Sequence, residues 1–558
     1  MLSSLMTSHD RVRVFALGGV AEIGKNMLAV ECGEDLLLVD CGVRFPEEDL
    51  LGIDLVIPDI GHIIENRARL RAILLTHGHE DHIGSLPYIL PQLEDVRPPI
   101  YGTRLTLGLV RTKLKEFKLE SWPQIELQPG TRVIVGALQI EPFRVAHSIP
   151  DGVGFALHTP AGVIVHTGDF KLDQTPVDGR PTDVAKLAEL GHRGVLLLLC
   201  DCTRVESPGY TPSERSLYDS FDMVFANAGG RLIFTTFASN ISRIQQILDT
   251  AYRFERQVAV VGRSMENNVA VARELGYLDV PERTLVRPDD LGQLPSKQAV
   301  FITTGSQGEP TSVLSRIASN DHRLIRLQPG DTVVLSGTPV PGNELAVDRT
   351  INNLVRRGAE VIYNALMPVH VSGHAAQEEL KLVLNLVRPR YLIPVHGEPR
   401  HQVRLRRVAQ EVGLPPDHVF ILENGDVVEM DAQGARRAGA VASGSVLVDG
   451  LMVGDISSVV LRDRRHLSRD GFVLVSVAVD KHTGGPLAEP DIVSRGFVAA
   501  TDGLFADARR IVRETIQAQA PVEVETAFLS TKIREALARF LYEQTRGRPM
   551  ILPIITEV

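Results

Sequence analysis

The alternation of apolar and polar positions changes character twice along the chain and predicts three structural regions. From Val12 to about Asp201, short runs rich in β-branched residues are separated by glycine-containing turns, a pattern typical of β-strands. We expect a largely β layer with few helices in this region. The predicted strands are 12–17, 27–31, 36–39, 72–75, 131–135 and 162–166.

In the second region, strand-like and helix-like segments alternate, which predicts parallel βαβ units. It opens with Thr211-Pro212-Ser213-Glu214, which predicts a capped helix that continues to about Ala228. Polar loops follow three of the strands, where open α/β sheets usually bind substrates, although ordinary turns also explain them. The predicted strands are 232–237, 258–261, 299–303 and 332–336, the helices 241–252, 267–275 and 346–357, and the loops 238–240, 262–264 and 305–308.

The third region begins after a predicted helix at 375–387 and a predicted strand at 391–395. Residues 431–445 are rich in Gly, Ala and Ser, which predicts a linker that extends a few residues further. The rest of the chain predicts a small α+β domain. Its expected strands are 472–479, 491–497 and 550–555, and its expected helices are 504–519 and 522–544.

Composition narrows the class of protein. A chain of 558 residues with 44% hydrophobic content can bury several cores, so we expect about three domains. The net charge of −10 argues against a surface that is basic all over, so a polyanion would need a local groove or metal ions. We expect a cytoplasmic protein without membrane attachment, because the longest apolar runs are too short for a signal peptide or a membrane span.

Small clusters of arginine and cysteine are ambiguous. The arginines fit either a solvated face or a local basic groove. The cysteines are too few for a disulfide scaffold and lie in apolar runs, where free cysteine behaves as a small hydrophobe. The arginine clusters are Arg404, Arg406 and Arg407, and Arg462, Arg464, Arg465 and Arg469; the cysteines are Cys32, Cys41, Cys200 and Cys202.

The most informative segment is Thr76-His77-Gly78-His79-Glu80-Asp81-His82, which follows an apolar strand. It offers three imidazoles and a carboxylate within six residues. Alternate positions of an extended chain face the same way, so His77 and His79 can share one metal ion. The chain then turns into a helix, which lets Asp81 and His82 face a second ion. The segment therefore predicts a metal site.

Three later residues offer further donors, each at the end of an apolar strand: His147, Asp169 and His396. Two zinc ions need more nitrogen and oxygen donors than one loop can supply, so these residues are candidates for the same centre. Taken singly, each of them could instead be a hydrogen-bonded loop residue.

The donor set resembles the metallo-β-lactamase fold, and the rest of the chain resembles its nucleic-acid-cutting β-CASP branch, most closely the bacterial ribonuclease J family. Matching stretches over nearly the whole chain are 15–26, 236–240, 341–344 and 370–375. The resemblance implies an α/β protein. Its expected parts are a metallo-β-lactamase αββα sandwich at 1–207 and 365–430, an inserted Rossmann-like β-CASP domain at 208–364, a linker at 431–449 and a small C-terminal α+β domain at 450–558.

The resemblance also implies two zinc ions per chain, with Mn²⁺ or Mg²⁺ as alternatives, and Asp169 as the bridging ligand. One ion would be held by His77, His79, His147 and Asp169, and the other by Asp81, His82, Asp169 and His396. The additional β-CASP motifs fall on Asp201, His374 and His396. Cys200 and Cys202 depart from the family pattern, which often has serines around this aspartate.

These assignments suggest catalytic roles for three residues. Asp81 would orient the nucleophile, and His374, steered by Asp201, would protonate the leaving 3′ oxygen. The alternative is that His374 stays neutral and only binds phosphate.

The segment 370–374 predicts an anion pocket, because Ser372, the amides around Gly373 and a helix that begins at Ala375 all offer donors. The resemblance assigns this segment to a nucleotide phosphate, whereas a simple helix cap at Ser372 is the alternative. The expected substrate-binding residues are His370, Val371, Ser372, Gly373, His374, Ser239 and Asn240.

The resemblance implies a ribonuclease of mRNA decay and rRNA processing, with 5′-to-3′ exonuclease activity that favours 5′-monophosphate ends and with endonuclease activity. It further implies a homodimer or tetramer and partners in an RNA-degradation complex. A DNA-processing β-CASP nuclease, a small-molecule hydrolase and a non-catalytic RNA-binding subunit are the alternatives. The domain-sized insertion disfavours the small-molecule hydrolase, and the complete set of seven ligands disfavours the non-catalytic subunit.

Overall fold

The computed structural model describes residues 11–47, 49–306, 312–339, 343–431, 433–450, 452–454, 456–497, 503–519 and 526–558. The chain divides into two compact units. The larger unit comprises the chain up to Phe45 together with Val56–Val446, and the smaller comprises Pro46–Leu55 together with Leu447–Val558.

Two β-sheets lie face to face in the larger unit, and their inner side chains form one core, for example Val14 and Leu37 from the first sheet and Phe155 and Leu197 from the second. The first sheet has the strand order Ala435–Ala440, Asp426–Met430, Val12–Gly18, Met27–Cys32, Asp35–Val39, Leu70–Leu74, Ile100–Gly102 and Gln124–Glu126. The second has the order Tyr391–Val395, Leu197–Asp201, Gly162–His166, Val153–Thr159, Leu138–Arg144 and Val133–Val135.

Helices cover the outer faces of both sheets, so the layers follow the order α, β, β, α. Each helix buries an apolar stripe against its sheet, which is why the strands are apolar on both faces. The second sheet is covered by Val184–Arg193, Gln377–Val387 and Pro399–Glu411, and the first by Gly61–Glu65, Glu80–Ile83, Leu86–Ile89 and Arg104–Glu116. The α/β sandwich predicted for this part of the chain is confirmed.

The inserted region forms a parallel sheet with helices on both faces, as the alternating pattern predicts. Its strand order is Gln257–Val261, Ala299–Thr303, Leu232–Thr235, Thr332–Leu335 and Glu360–Tyr363. Its α-helices are Leu217–Asn227, Ile241–Arg253, Arg263–Glu274, Pro288–Leu291, Val313–Ala318 and Glu344–Arg356.

The smaller unit has its own core, to which Val475, Val512 and Ile533 contribute, and the small α+β domain predicted here is confirmed. Its sheet has the order Asp491–Arg495, Phe472–Val479 and Met550–Glu557, and its helices are Ser458–Asp470, Leu504–Gln517 and Thr526–Thr545.

The two units also contain shorter elements. Short strands lie at Leu55–Pro58, Ser445–Asp449 and Met452–Val453, and 3₁₀ turns lie in the larger unit at Arg67–Arg69, Leu90–Leu93, Glu214–Ser216, Ser296–Gln298 and Pro416–His418.

Two sequence-based expectations for the larger unit are wrong. The predicted linker contains the strand Ala435–Ala440, which pairs antiparallel with Asp426–Met430, because small residues fit an edge strand as well as a linker. The first 200 residues also contain two long helices, Arg104–Glu116 and Val184–Arg193, where few helices were expected. Both cover a sheet, so tertiary packing stabilises them beyond their local propensity.

The capped helix predicted from Thr211 begins later. Ser213 caps a 3₁₀ turn at Glu214–Ser216, and the α-helix Leu217–Asn227 follows. The Thr211 hydroxyl instead donates to the His374 carbonyl (2.7 Å), and Glu214 is buried and pairs with Arg243. Long-range contacts therefore take both residues of the predicted capping box.

Parts of several sequence predictions lie outside the described residues: Gln307-Gly308 in the third loop, Pro341-Gly342 in a matching stretch, and the first residues of the helix predicted from Val522. Across the parts of the chain that the structure describes, no helix combines the length and the apolar character needed to cross a bilayer.

Candidate metal centre and active site

The loop that carries the histidine motif follows the buried strand Leu70–Leu74 and is fixed by Asp40. Thr76 donates both its backbone N–H and its hydroxyl to the Asp40 carboxylate, each at 2.8 Å. Gly42 allows the loop to approach, because a Cβ at that position would lie 1.6 Å from the Asp81 carbonyl oxygen. The chain then enters the short helix Glu80–Ile83.

A first cluster of possible donors consists of His77, His79 and His147. The His79 Nδ1 atom lies 3.0 Å from His77 Nε2 and 3.2 Å from His147 Nε2. Three imidazole nitrogens therefore converge on one point, with His79 presenting the opposite ring nitrogen from the other two.

A second cluster consists of Asp81, His82, Asp169 and His396. The His82 Nε2 atom lies 3.1 Å from Asp169 Oδ2, and the His396 Nε2 atom lies 3.1 Å from Asp81 Oδ2. The division of the motif between two clusters is the one expected from alternating side-chain directions. His396 reaches its position with a φ of 53°, an uncommon conformation for a residue other than glycine.

Asp169 lies between the two clusters. Its Oδ2 atom is 3.8 Å from His77 Nε2 and 3.9 Å from His147 Nε2 in the first cluster. In the second, it is 3.1 Å from His82 Nε2 and 3.8 Å from His396 Nε2. One carboxylate oxygen thus faces both donor sets, which is the position that a bridging ligand needs.

Hydrogen bonds fix which ring nitrogen of these histidines carries hydrogen. The His82 Nδ1 atom lies 2.8 Å from Asp40 Oδ2, and the His147 Nδ1 atom lies 2.8 Å from the Gly373 carbonyl oxygen. Both oxygens can only accept, so Nδ1 donates and Nε2 keeps its lone pair for a metal ion.

His396 is oriented in the same way by Thr203. The Thr203 hydroxyl donates to Asp201 Oδ1 (2.7 Å), so its oxygen can accept from His396 Nδ1, which is 2.6 Å away. The Nε2 atom is then free to face Asp81 and Asp169. This pattern of outer hydrogen bonds is typical of metal-binding histidines.

The electrostatics differ between the two clusters. Burial lowers the pKa of His77 and His147 well below the usual value and lowers that of His79 to about 4, so these rings are neutral. Burial also opposes charge on His82 and His396, but the carboxylates of Asp169 and Asp81 outweigh it and raise the pKa of both. The two carboxylates of the second cluster therefore attract positive charge, which a bound cation would supply in place of the two ring protons.

Asp201 and His374 form a pair at the edge of this centre. His374 Nδ1 lies 2.7 Å from Asp201 Oδ2, and Asp201 also accepts from the Thr203 backbone N–H (2.9 Å). Burial opposes charge on His374, but the Asp201 carboxylate outweighs it and raises the His374 pKa to about 9. His374 is also close enough to His147 and Asp169 to count among possible donors.

The segment 370–374 lies against the first cluster. A Cβ on Gly373 would lie 2.5 Å from the His147 ring, so only glycine allows this approach. The Ser372 hydroxyl accepts from the His374 backbone N–H (3.1 Å). His370 Nδ1 is buried and has no hydrogen-bond partner within the described residues, so it is available to a ligand atom or a water molecule.

One part of the predicted anion pocket is wrong. The helix begins at Gln377 and not at Ala375, and the Glu379 carboxylate already occupies its start. That carboxylate accepts from the backbone N–H groups of Ala376 (2.8 Å) and Thr211 (2.7 Å). A second anion would be repelled there, so the start of this helix does not contribute to an anion pocket.

Ser239 and Asn240 occupy different environments. Ser239 is partly exposed, whereas Asn240 is 1% exposed and caps the helix Ile241–Arg253 by accepting from the Arg243 backbone N–H at 3.0 Å. The observed contact of Asn240 is therefore structural.

Sequence reasoning missed Asp40 and Thr203, each of which orients a histidine of the centre. Asp40 directly follows the buried strand Asp35–Val39, and Thr203 lies two residues after the end of the buried strand Leu197–Asp201. This position at a strand end is the feature of the sequence that could have indicated them. All four cysteines are buried and outside any disulfide bond, and none of them belongs to a described donor cluster.

Family models match four parts of the chain. A β-lactamase superfamily domain matches residues 37–208, and a ribonuclease J β-CASP domain matches 229–354. A Zn-dependent metallo-hydrolase RNA specificity domain matches 362–422, and a ribonuclease J C-terminal domain matches 459–558.

Curated relatives match nearly the full length. Ribonuclease J2 of Bacillus subtilis is 43% identical over 98% of this chain and 99% of its own length. Ribonuclease J of Thermus thermophilus is 44% identical over 98% of this chain and 96% of its own length. A crystal structure of a protein of unknown function from Enterococcus faecalis V583 shares the fold, with a TM-score of 0.52, 16% identity and coverage of 75% of this chain and 100% of that one. The identity over whole chains shows that this chain belongs to the ribonuclease J family.

Proposed function

We propose that this chain hydrolyses phosphodiester bonds of RNA at a centre of two divalent metal ions. The observation that carries the proposal is the position of Asp169 Oδ2, within 4 Å of imidazole nitrogens from both donor clusters. The relatives named as ribonucleases match the chain over nearly its whole length, which supports RNA as the substrate.

The donor chemistry fits two zinc ions. Neutral imidazoles and carboxylates are suitable ligands, and we propose that His77, His79, His147 and Asp169 hold one ion and Asp81, His82, Asp169 and His396 the other. When bound, two such ions activate water and neutralise charge on the reacting phosphate. The same oxygen and nitrogen donors also accept Mn²⁺, and Mg²⁺ suits the carboxylates alone.

Asp81 differs from Asp169 in its access to solvent. The Asp81 side chain is 32% exposed, compared with 4% for Asp169. A carboxylate at the open side of the centre can accept a hydrogen bond from an incoming water, so we assign Asp81 the orientation of the nucleophile.

His374 is the proposed acid for the leaving 3′ oxygen. Asp201 holds its Nδ1 hydrogen, so the second proton of the charged ring lies on Nε2. A pKa near 9 keeps that proton in place at neutral pH, which favours the acid over a neutral phosphate ligand. Asp201 acts through His374 and is a positioning residue.

The 5′ end of RNA is the proposed occupant of the segment 370–374. The partnerless Nδ1 atom of His370 supports a ligand there, and burial and the nearby Arg243 lower the His370 pKa to about 3, so the ring is a neutral donor. A single phosphate suits this segment because the helix start beyond it is already occupied by Glu379. We therefore propose 5′-to-3′ exonuclease activity that favours 5′-monophosphate ends, with endonuclease activity that does not need this pocket.

We further propose the domain boundaries 1–207, 208–364 and 365–430, a C-terminal domain at 450–558, and a homodimer that depends on the C-terminal region. Exposed apolar side chains on the helix Ser458–Asp470, namely Val459, Val460 and Leu467, are compatible with a role in association.

The test is a cleavage assay on RNA and DNA strands of the same sequence, labelled at the 5′ end, with and without chelator. RNA cleavage that the chelator abolishes, with release of labelled mononucleotide, is the expected result. Cleavage of DNA alone, or of neither strand, would refute the proposed substrate.

A further inference from the structure

Arg243 and Glu214 form an ion pair in the interior of the larger unit. The Arg243 side chain is 0% exposed and the Glu214 side chain 2%, and their Nη2 and Oε2 atoms lie 2.7 Å apart. A buried pair of this kind usually costs desolvation energy that its attraction barely offsets, so it contributes little net stability. The pair therefore calls for an explanation other than stability.

The remaining donors of Arg243 explain its position. Arg243 is in the first turn of the helix Ile241–Arg253, and its Nη1 atom donates to the Val369 carbonyl oxygen at 3.0 Å. Ser336, at the end of a strand of the inserted sheet, also donates its hydroxyl to that carbonyl (2.5 Å) and receives a hydrogen bond from Arg243. Two donors from the insert thus converge on the residue that directly precedes His370.

Glu214 links the same arginine to the segment beyond Asp169. Its Oε1 atom lies 3.4 Å from the Lys171 ammonium, and its backbone N–H donates to Asp173 Oδ2 at 2.9 Å. Lys171 and Asp173 are both nearly fully buried. Glu214 therefore links the inserted region to the segment that follows Asp169.

We propose that Arg243 is a positioning residue that holds the backbone at Val369 and so sets His370 and Ser372 for the 5′ phosphate of RNA. The planar guanidinium is needed because one group must reach a carboxylate and a carbonyl in different directions. Lysine keeps the charge but cannot make both contacts in this geometry. This inference rests on the proposed discrimination of 5′ ends and adds the residue that arranges it.

The chain offers a matched control in Arg231. It pairs with Asp331 through Nε (2.9 Å) and Nη2 (2.6 Å) and donates to a backbone carbonyl, that of Arg326. All of these contacts remain inside the insert. Arg231→Lys should therefore weaken a comparable ion pair without affecting Val369.

The experiment compares Arg243→Lys, Arg231→Lys and the parent as full-length proteins. We expect Arg243→Lys to reduce the ratio of kcat/KM on 5′-monophosphate RNA to that on 5′-hydroxyl RNA by about tenfold, a difference of about 1.4 kcal/mol. Arg231→Lys should keep the parent ratio, even if both substitutions lower the melting temperature by the same amount. An unchanged ratio in Arg243→Lys, or an equal loss in both variants, would overturn the proposal.

Hydrogen–deuterium exchange separates this inference from the proposed function. Amides of residues 370–374 should exchange faster in Arg243→Lys than in the parent or in Arg231→Lys. If the parent shows no 5′-end preference but this exchange pattern holds, the phosphate assignment fails and the positioning by Arg243 stands. If exchange in 370–374 is the same in all three proteins, the positioning claim is refuted whatever the end preference.

Discussion

Asp201 and His374 are 173 residues apart in the chain, and their side chains are joined by a hydrogen bond of 2.7 Å between Oδ2 and Nδ1. The carboxylate outweighs burial and raises the His374 pKa to about 9. An acid works while it holds its proton, so activity should fall as the pH rises through the His374 pKa. Asp201→Asn removes the largest of the effects that raise this pKa and should move the alkaline limb to lower pH by about one unit or more.

The measurement is the pH profile of single-turnover cleavage with saturating metal for the parent and for Asp201→Asn. If the alkaline limb lies at the same pH in both proteins, the limb does not report the titration of His374, and the proposed role of the His374–Asp201 pair is contradicted. The amide of asparagine can still accept from Nδ1, so the variant tests charge and not geometry.

His374 itself should be dispensable for metal binding, because it lies outside the seven proposed ligands and a pKa of about 9 keeps a proton on its Nε2 atom at neutral pH. We expect His374→Ala to slow the chemical step by about 10²–10⁴-fold, the usual contribution of a general acid, while the metal content stays at the parent level. His77→Ala is the comparison, and it should lose both metal and cleavage. Loss of metal from His374→Ala would instead make His374 a ligand.

Asp40 should influence the centre through His82, although it is not a proposed ligand. It fixes the His82 ring by accepting from Nδ1 at 2.8 Å. Asp40→Ala should therefore lower the affinity for the second metal ion by about 10–100-fold, as is usual for such supporting carboxylates. Competitive titration with a chromophoric chelator measures this, and an affinity equal to that of the parent would contradict the role.

The clustering of the seven candidate donors could be predicted from the sequence, because each lies in the dense motif or follows an apolar strand, and strand ends meet at one edge of a sheet. Asp201 and His374 were indicated only by the family resemblance. Arg243 and Glu214 could not be predicted, since a lone arginine on a helix and a glutamate in a capping box have ordinary local explanations. Their partners are distant in the chain. The linker error at 435–440 has the same origin, because an edge strand is defined by its neighbour.

Ser372 should control the preference for the 5′ end. A bulky side chain at this position, as in Ser372→Leu, should fill the space beside His370 and remove the hydroxyl that accepts from His374 N–H. We expect the preference for monophosphate over triphosphate ends, about tenfold or more in the parent, to disappear. Cleavage of a circular RNA is the control for internal cutting. If the variant keeps the preference, Ser372 does not take part in recognition of the 5′ phosphate.

The C-terminal region should determine the oligomeric state and not the chemistry. Truncation after Gly450 removes the core around Val512 and Ile533, which is separate from the metal centre. We expect a monomer with reduced activity but parental metal content. Sedimentation velocity measures whether the truncated protein is a monomer. A truncated protein that is still a dimer and has unchanged kinetics would exclude a role of the C-terminal region in association.

The central claim is that seven residues hold two metal ions and that both ions are needed to cleave RNA. The most direct measurement is a titration of metal-free protein with Zn²⁺ or Mn²⁺, with bound metal per chain determined by elemental analysis and cleavage of 5′-labelled RNA followed in parallel. We predict that activity rises to its maximum as the bound metal approaches two ions per chain, and that Asp169→Ala never reaches this state. Full activity in the metal-free protein, or full activity with a single bound ion, would contradict the account.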